Sequence, residues 1–125
     1  MITFNDEDST KKISDFKKAE EEDVVQILAE QKYNIPYINL NGQPIENQAL
    51  QYVTLERAHE LNVAPFKLLG KNIHIGIQSP DNREIENLTK ELIERALVPH
   101  YYMVSRASLE KVWERYTEIS LASSS

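Results

Sequence analysis

Residues 72–78 read Asn-Ile-His-Ile-Gly-Ile-Gln, and this alternation constrains the fold more than any other stretch. Side chains of an extended strand point alternately to opposite faces, so Ile73, Ile75 and Ile77 share one side while Asn72, His74, Gly76 and Gln78 share the other. A second extended run, Ala64–Leu69, precedes it, and only Gly70-Lys71 separates the two. A short glycine-bearing link between extended runs predicts an antiparallel hairpin. Pro80 stops the second strand.

A helix is predicted next, starting at Asp81 or Asn82. Asp81-x-x-Glu84 has capping-box spacing, and Ile85, Leu88, Leu92 and Ala96 form an apolar stripe that Pro99 ends. His100–Val104 reads as a strand. Strand, helix and strand in that order predict parallel pairing through a crossover. Ser105 is placed to cap a last helix, whose apolar face is Leu109, Val112, Trp113 and Tyr116. The expected fold class is therefore α/β (α+β). Its core is ββαβα, a small mixed sheet of three or four strands packed with helices and preceded by an N-terminal helix.

That first helix is predicted over residues 14–32, with Val24, Ile27, Leu28 and Gln31 on one helical face and Phe16 and Ala19 extending the stripe backwards. Asn34 and Ile35-Pro36 end it. Tyr37–Leu40 reads as a short extended segment and Asn41-Gly42 as a turn. Ile45, Ala49, Leu50 and Val53 line a short helical piece. Thr54 is then a candidate N-cap for a helix carrying Leu55, Ala58 and Leu61. The expected boundaries are a flexible lead-in over 1–12, one domain over 13–119, and a disordered tail or the start of a linker over 120–125.

Composition narrows the function. The protein has 125 residues, 14 basic and 20 acidic, for a net charge of −6. Its basic pairs, Lys11-Lys12 and Lys17-Lys18, lie beside the acidic run Glu20–Asp23, a pattern of a solvated mixed-charge helix rather than a nucleic-acid face. No apolar run approaches a membrane span, so no direct membrane insertion is expected. Cysteine is absent, which removes thiolate metal ligands and fits a cytoplasmic setting.

Gly42, Gly70 and Gly76 open no phosphate-cradling loop, and Gly70-Lys71 belongs to the hairpin. His59, His74 and His100 include no i, i+4 pair, and His59 shares its helix with Glu56 and Glu60. Ser79, Ser105 and Ser108 suit turns and caps rather than nucleophiles. Glu20–Asp23 suits a helix start or outer face. Tyr101, Tyr102, Trp113 and Tyr116, with no basic groove around them, suit core packing. No catalytic residue, cofactor site or metal site is expected, and no enzymatic activity.

Two stretches nevertheless resemble a known family. Glu21–Leu40, EEDVVQILAEQKYNIPYINL, is similar to the leucine-rich helix, AEQ, short link and "PY-(V/I)-x-L" segment of the N-terminal domain of type II secretion and type IV pilus assembly ATPases. The order that follows is similar too. Pro44-Ile45 and Ala49-Leu50 resemble a "PI…AL" segment, and Thr54–Leu61 leads into Val63-Ala64-Pro65-Phe66. Ser79-Pro80-Asp81-Asn82 stands at the family's "DPxN/D" turn, and YMVSRASLEKVWERY over Tyr102–Tyr116 resembles its closing strand and helix. The resemblance covers about residues 20–118.

It implies a non-catalytic docking and regulatory domain in the cytoplasm, ahead of a hexameric motor. Such a domain binds an inner-membrane assembly-platform protein, through which it is peripheral to the membrane. The partner-binding residues stay open, with the outer face of the Val24 helix and the edge strand as candidates. A related branch binds cyclic di-GMP through a tandem motif of the form RLGxxL…L…LxxQ. Here Leu28 and Gln31 match the end of one copy, Asp8, Ser9 and Thr10 stand at the RLG positions, and the second copy is absent.

Overall fold

The computed structural model describes the backbone of residues 21–123 and the side chains through Glu118. The predicted lead-in, Phe16, Ala19, Glu20, both lysine pairs and Asp8–Thr10 lie outside the described residues. Helix α1 (21–27) runs directly into a π turn, Leu28–Tyr33. There follow α2 (Asn47–Leu50), α3 (Leu55–Leu61), β1 (Val63–Leu69), β2 (Asn72–Ile77), α4 (Arg83–Glu94), β3 (Val98–Met103) and α5 (Arg106–Ser123). The ββαβα order is as predicted, and α5 continues past the boundary expected at 119.

The sheet has three strands in the order β1-β2-β3, with β1 antiparallel and β3 parallel to the central β2. Gly70 turns the hairpin at φ +59°, a conformation that costs a glycine nothing. The β1–β2 register shifts between Pro65 and Lys67, so Phe66 is the extra residue of a bulge. Pro65 is tolerated because β1 is an edge strand. Glu46 covers that edge: its N–H donates to the Phe66 carbonyl at 2.9 Å, and its carboxylate accepts the Leu68 N–H at 3.2 Å.

Tyr37–Leu40 does not become a fourth strand. One parallel bridge forms, Tyr37 to Met103, with Met103 N–H donating to Pro36 O and Ile38 N–H to Met103 O. The backbone then leaves the sheet after β3 for α5, so Leu40 N–H donates instead to the buried Ser108 hydroxyl at 3.1 Å.

Ile73, Ile75 and Ile77 are buried in one cluster with Ile85, Leu88 and Leu92 of α4. Each such aliphatic side chain contributes about 1.5–3 kcal/mol on leaving water. Among the described residues, the opposite face of β2 is covered at one end, where Gly76 lies against Val104. Leu109, Val112 and Trp113 of α5 are buried as predicted. Trp113 Nε1–H donates to Val63 O at 3.0 Å, and the Tyr116 hydroxyl donates to Val53 O at 2.7 Å.

Helix ends follow local chemistry. Thr54 caps α3, accepting the Arg57 N–H at 3.3 Å, and Ser105 caps α5, accepting the Ser108 N–H at 3.2 Å. At α4 the cap is Asn82, whose side chain accepts the Glu84 N–H; the Asp81–Glu84 box does not form, because Asp81 N–H is engaged by Ser79. Ala96 does not extend the α4 stripe. It lies beyond the helix at φ +63°, with its N–H on Ile93 O while Leu97 N–H reaches Leu92 O. That is a Schellman ending with alanine where glycine is usual, and buried Leu97 takes the core position instead.

The stripe predicted for α1 is also turned. Val24 and Ile27 are 54% and 52% exposed, and Gln31 is exposed, while Val25 and Leu28 are half-buried and Ala29 is fully buried. Adjacent stripes, 24-27-28 and 25-28-29, are both apolar, and periodicity does not choose between them. Two tethers fix the rotation. Glu21 accepts the free Arg106 N–H at the start of α5, at 2.6 Å, and Glu22 accepts the Tyr37 hydroxyl. The π turn then closes on the Ala29 carbonyl, which takes the N–H of Asn34 and of Ile35.

Candidate functional site

Two surfaces stand out. The first is the outer face of α1, one of the two candidate docking sites expected from the sequence. Val24 and Ile27 are one helical turn apart and exposed, among exposed Asp23, Gln26 and Glu30. Of the described carboxylates of the acidic run, Glu21 and Glu22 point inward to their tethers, on Arg106 N–H and the Tyr37 hydroxyl. Leu28 is half-buried and Gln31 exposed in the π turn.

The second is the open half of the sheet. In-register pairing sets Lys67, His74 and His100 in one row and Leu69, Asn72 and Val98 in the next. The His74 and His100 rings stack at 5.2 Å between centroids. Each ring has one nitrogen engaged: His74 Nδ1 with the Tyr102 hydroxyl at 2.8 Å, and His100 Nε2 with Asn72 Oδ1 at 2.9 Å. Phe66 packs edge-on to Tyr102 at 5.7 Å. Leu69 and Val98 are about half exposed at the rim. His74 is held below the ordinary histidine range, first by burial, then by the charges of His100 and Lys67, with Glu46 opposing.

This histidine row is not apparent in the sequence, which presents each histidine singly. A signal exists all the same: His74 and His100 sit on two strands predicted to be parallel, and the pairing needs only the register. His59 lies elsewhere, exposed and stacked on Trp113 at 4.1 Å. Tyr101 is half-buried against Thr89, and burial raises its pKa. Ser79 and Ser105 accept local backbone N–H groups, as a turn and a cap require, whereas the Ser108 hydroxyl accepts the distant Leu40 N–H.

Two open grooves flank α5, one of ≈ 450 Å³ beside Gln43, Lys111 and Arg115, the other of ≈ 310 Å³ beside His59 and Trp113. Their cations are engaged: Lys111 donates to the Leu40 and Gln43 carbonyls, and Arg115 to Asn47 and Glu118. Among the described residues no three His, Asp or Glu side chains converge to hold a metal ion, and no helix is long and apolar enough to cross a membrane.

Fold and surface define a class: a small mixed-sheet module whose accessible features are a helix face and a half-open sheet. Comparison with known proteins gives the family. The MshEN domain profile matches residues 33–123, and the protein belongs to that family, the N-terminal domain of GspE/PilB-like ATPases. A solved structure described as "Structure of MshE with cdg" has the same fold, with a TM-score of 0.64 at 20% sequence identity. The match covers 74% of this protein and 66% of that one. No curated protein matches.

Proposed function

We propose that this protein is a non-catalytic docking and regulatory domain of a type IV pilus or type II secretion motor, and that it binds the cytoplasmic part of the inner-membrane assembly platform. On this reading it works in the cytoplasm, held near the inner membrane by its partner, ahead of a hexameric motor. The observation that carries the reading beyond family membership is the exposed pair Val24 and Ile27, an apolar ridge with an acidic rim on a helix otherwise anchored to the fold. Exposed apolar side chains framed by charge are what a docking helix offers a partner. The test is titration calorimetry of the protein against the cytoplasmic segment of its own platform protein. Saturable binding is expected, weakened by about tenfold or more in Val24→Asp/Ile27→Asp with melting unchanged. No binding to any platform protein of its organism would sink the proposal.

A second reading is a cyclic di-GMP-binding regulatory domain of the same class. It is favoured by the shared fold with a protein described in complex with cdg. Against it stand Asp8, Ser9 and Thr10 at the RLG positions and the missing second motif copy. Calorimetry with the dinucleotide separates the two, and a micromolar signal would reverse their order.

A further inference from the structure

We propose that Asn41 is a site of spontaneous covalent modification, in which its carboxamide nitrogen is lost through attack by the backbone nitrogen of Gly42. Asn41-Gly42 is the one Asn-Gly pair in the sequence; every other asparagine precedes a residue that bears a Cβ. The pair forms the centre of a turn closed by Gln43 N–H donating to Leu40 O at 3.1 Å, with Gly42 at φ +82°. Both residues are exposed. Nothing lies within 4 Å of where a Gly42 side group would begin, so the turn faces open space there, and glycine itself carries no side chain to crowd its nitrogen. Among the described residues no acceptor takes the Gly42 N–H, and the Asn41 carboxamide makes no hydrogen bond. The fold therefore offers the two protections it gives other asparagines, an engaged amide and a bulky successor, at neither atom of this pair. Asn34 illustrates the contrast: its successor Ile35 is β-branched, and the Ile35 N–H is bonded to Ala29 O at 3.0 Å.

The step balances without an oxidant or a cofactor. The Gly42 nitrogen, giving up its proton, bonds to Cγ of Asn41. The Cγ–Nδ2 bond of Asn41 breaks and the nitrogen leaves as ammonia, closing a five-membered succinimide. Water then opens either ring carbonyl, giving aspartate or isoaspartate at position 41. Either product places a carboxylate on a turn whose flanking carbonyls, Leu40 O and Gln43 O, are held by the Lys111 ammonium at 2.6 and 3.0 Å. Isoaspartate also reroutes the backbone through the Asn41 methylene between those two carbonyls. The modification thus reaches the clamp that fastens this turn to α5.

The experiment is peptide mapping of the full-length protein after prolonged incubation in mildly alkaline buffer, folded and in urea. A gain of about 1 Da is expected at Asn41 in the folded protein, as two separable isomers. The isoaspartyl form should accept a methyl group from a protein isoaspartate methyltransferase. Asn41→Gln, which would need a six-membered ring, should lose the gain with melting unchanged. An Asn41 that stays intact in the folded protein but reacts in urea would overturn the proposal. So would conversion spread equally over the other asparagines.

Discussion

Gly76 is the position where one added carbon tests the packing most sharply. A Cβ built there stands 2.9 Å from both Val104 methyls and 3.4 Å from Val104 Cβ. Reaching the ordinary limit of 3.4 Å requires about 0.5 Å of movement. Rotation of Val104 about χ1 still leaves one methyl facing the new carbon. Its backbone is pinned by an N–H donated to Ile77 O at 3.0 Å, and the residue is fully buried. Gly76 itself has ordinary strand geometry, so no backbone strain enters. Gly76→Ala should therefore cost about 1–3 kcal/mol from overpacking. A smaller unfolded-state gain of about 0.4–1 kcal/mol offsets part of this. Val104→Ala alone should destabilise by about 1–3 kcal/mol through lost burial and a cavity. The added carbon fits the space that Val104→Ala vacates, so the double variant should lose less than the sum by about 1–2 kcal/mol. Urea denaturation with unchanged m-values reads all four proteins. Additive losses, or a neutral Gly76→Ala, would refute the proposed contact.

Other expectations follow from single residues. Ala96→Gly should stabilise the protein by about 0.5–1 kcal/mol, read as a higher urea midpoint, because glycine relieves the left-handed Schellman position. Trp113→Phe should cost about 1–2 kcal/mol, since it leaves Val63 O without its donor in a buried site. His74 should make stability depend on pH. Its folded pKa lies below the unfolded value, so the unfolded state takes the proton first, and stability falls as pH drops from about 6.5 through the folded pKa. His74→Gln should flatten thermal melting across that window, whereas an unchanged slope would place the dependence elsewhere.

The sequence by itself determined the elements and most of their order. Alternation at Ile73, Ile75 and Ile77, the Gly70-Lys71 link and the Ile85–Leu88–Leu92 stripe specify hairpin, helix and crossover, because each is a local period imposed by backbone geometry. Thr54 and Ser105 are legible as caps for the same reason: a cap bonds within its own turn. Family membership is legible in the order of short segments. What only the tertiary structure decided lies in contacts between distant residues. Which of two overlapping stripes on α1 faces inward depends on Glu21 reaching Arg106 and Glu22 reaching Tyr37, contacts that no local pattern encodes. The extended segment at Tyr37–Leu40 makes only one bridge to the sheet because β3 ends at Met103 and the backbone turns into α5, so the Leu40 N–H bonds to Ser108, far along the sequence. The row of His74 and His100 comes from strand register. A helix or strand period says which side chains share a face; long-range hydrogen bonds and burial choose which face turns inward and which stays exposed.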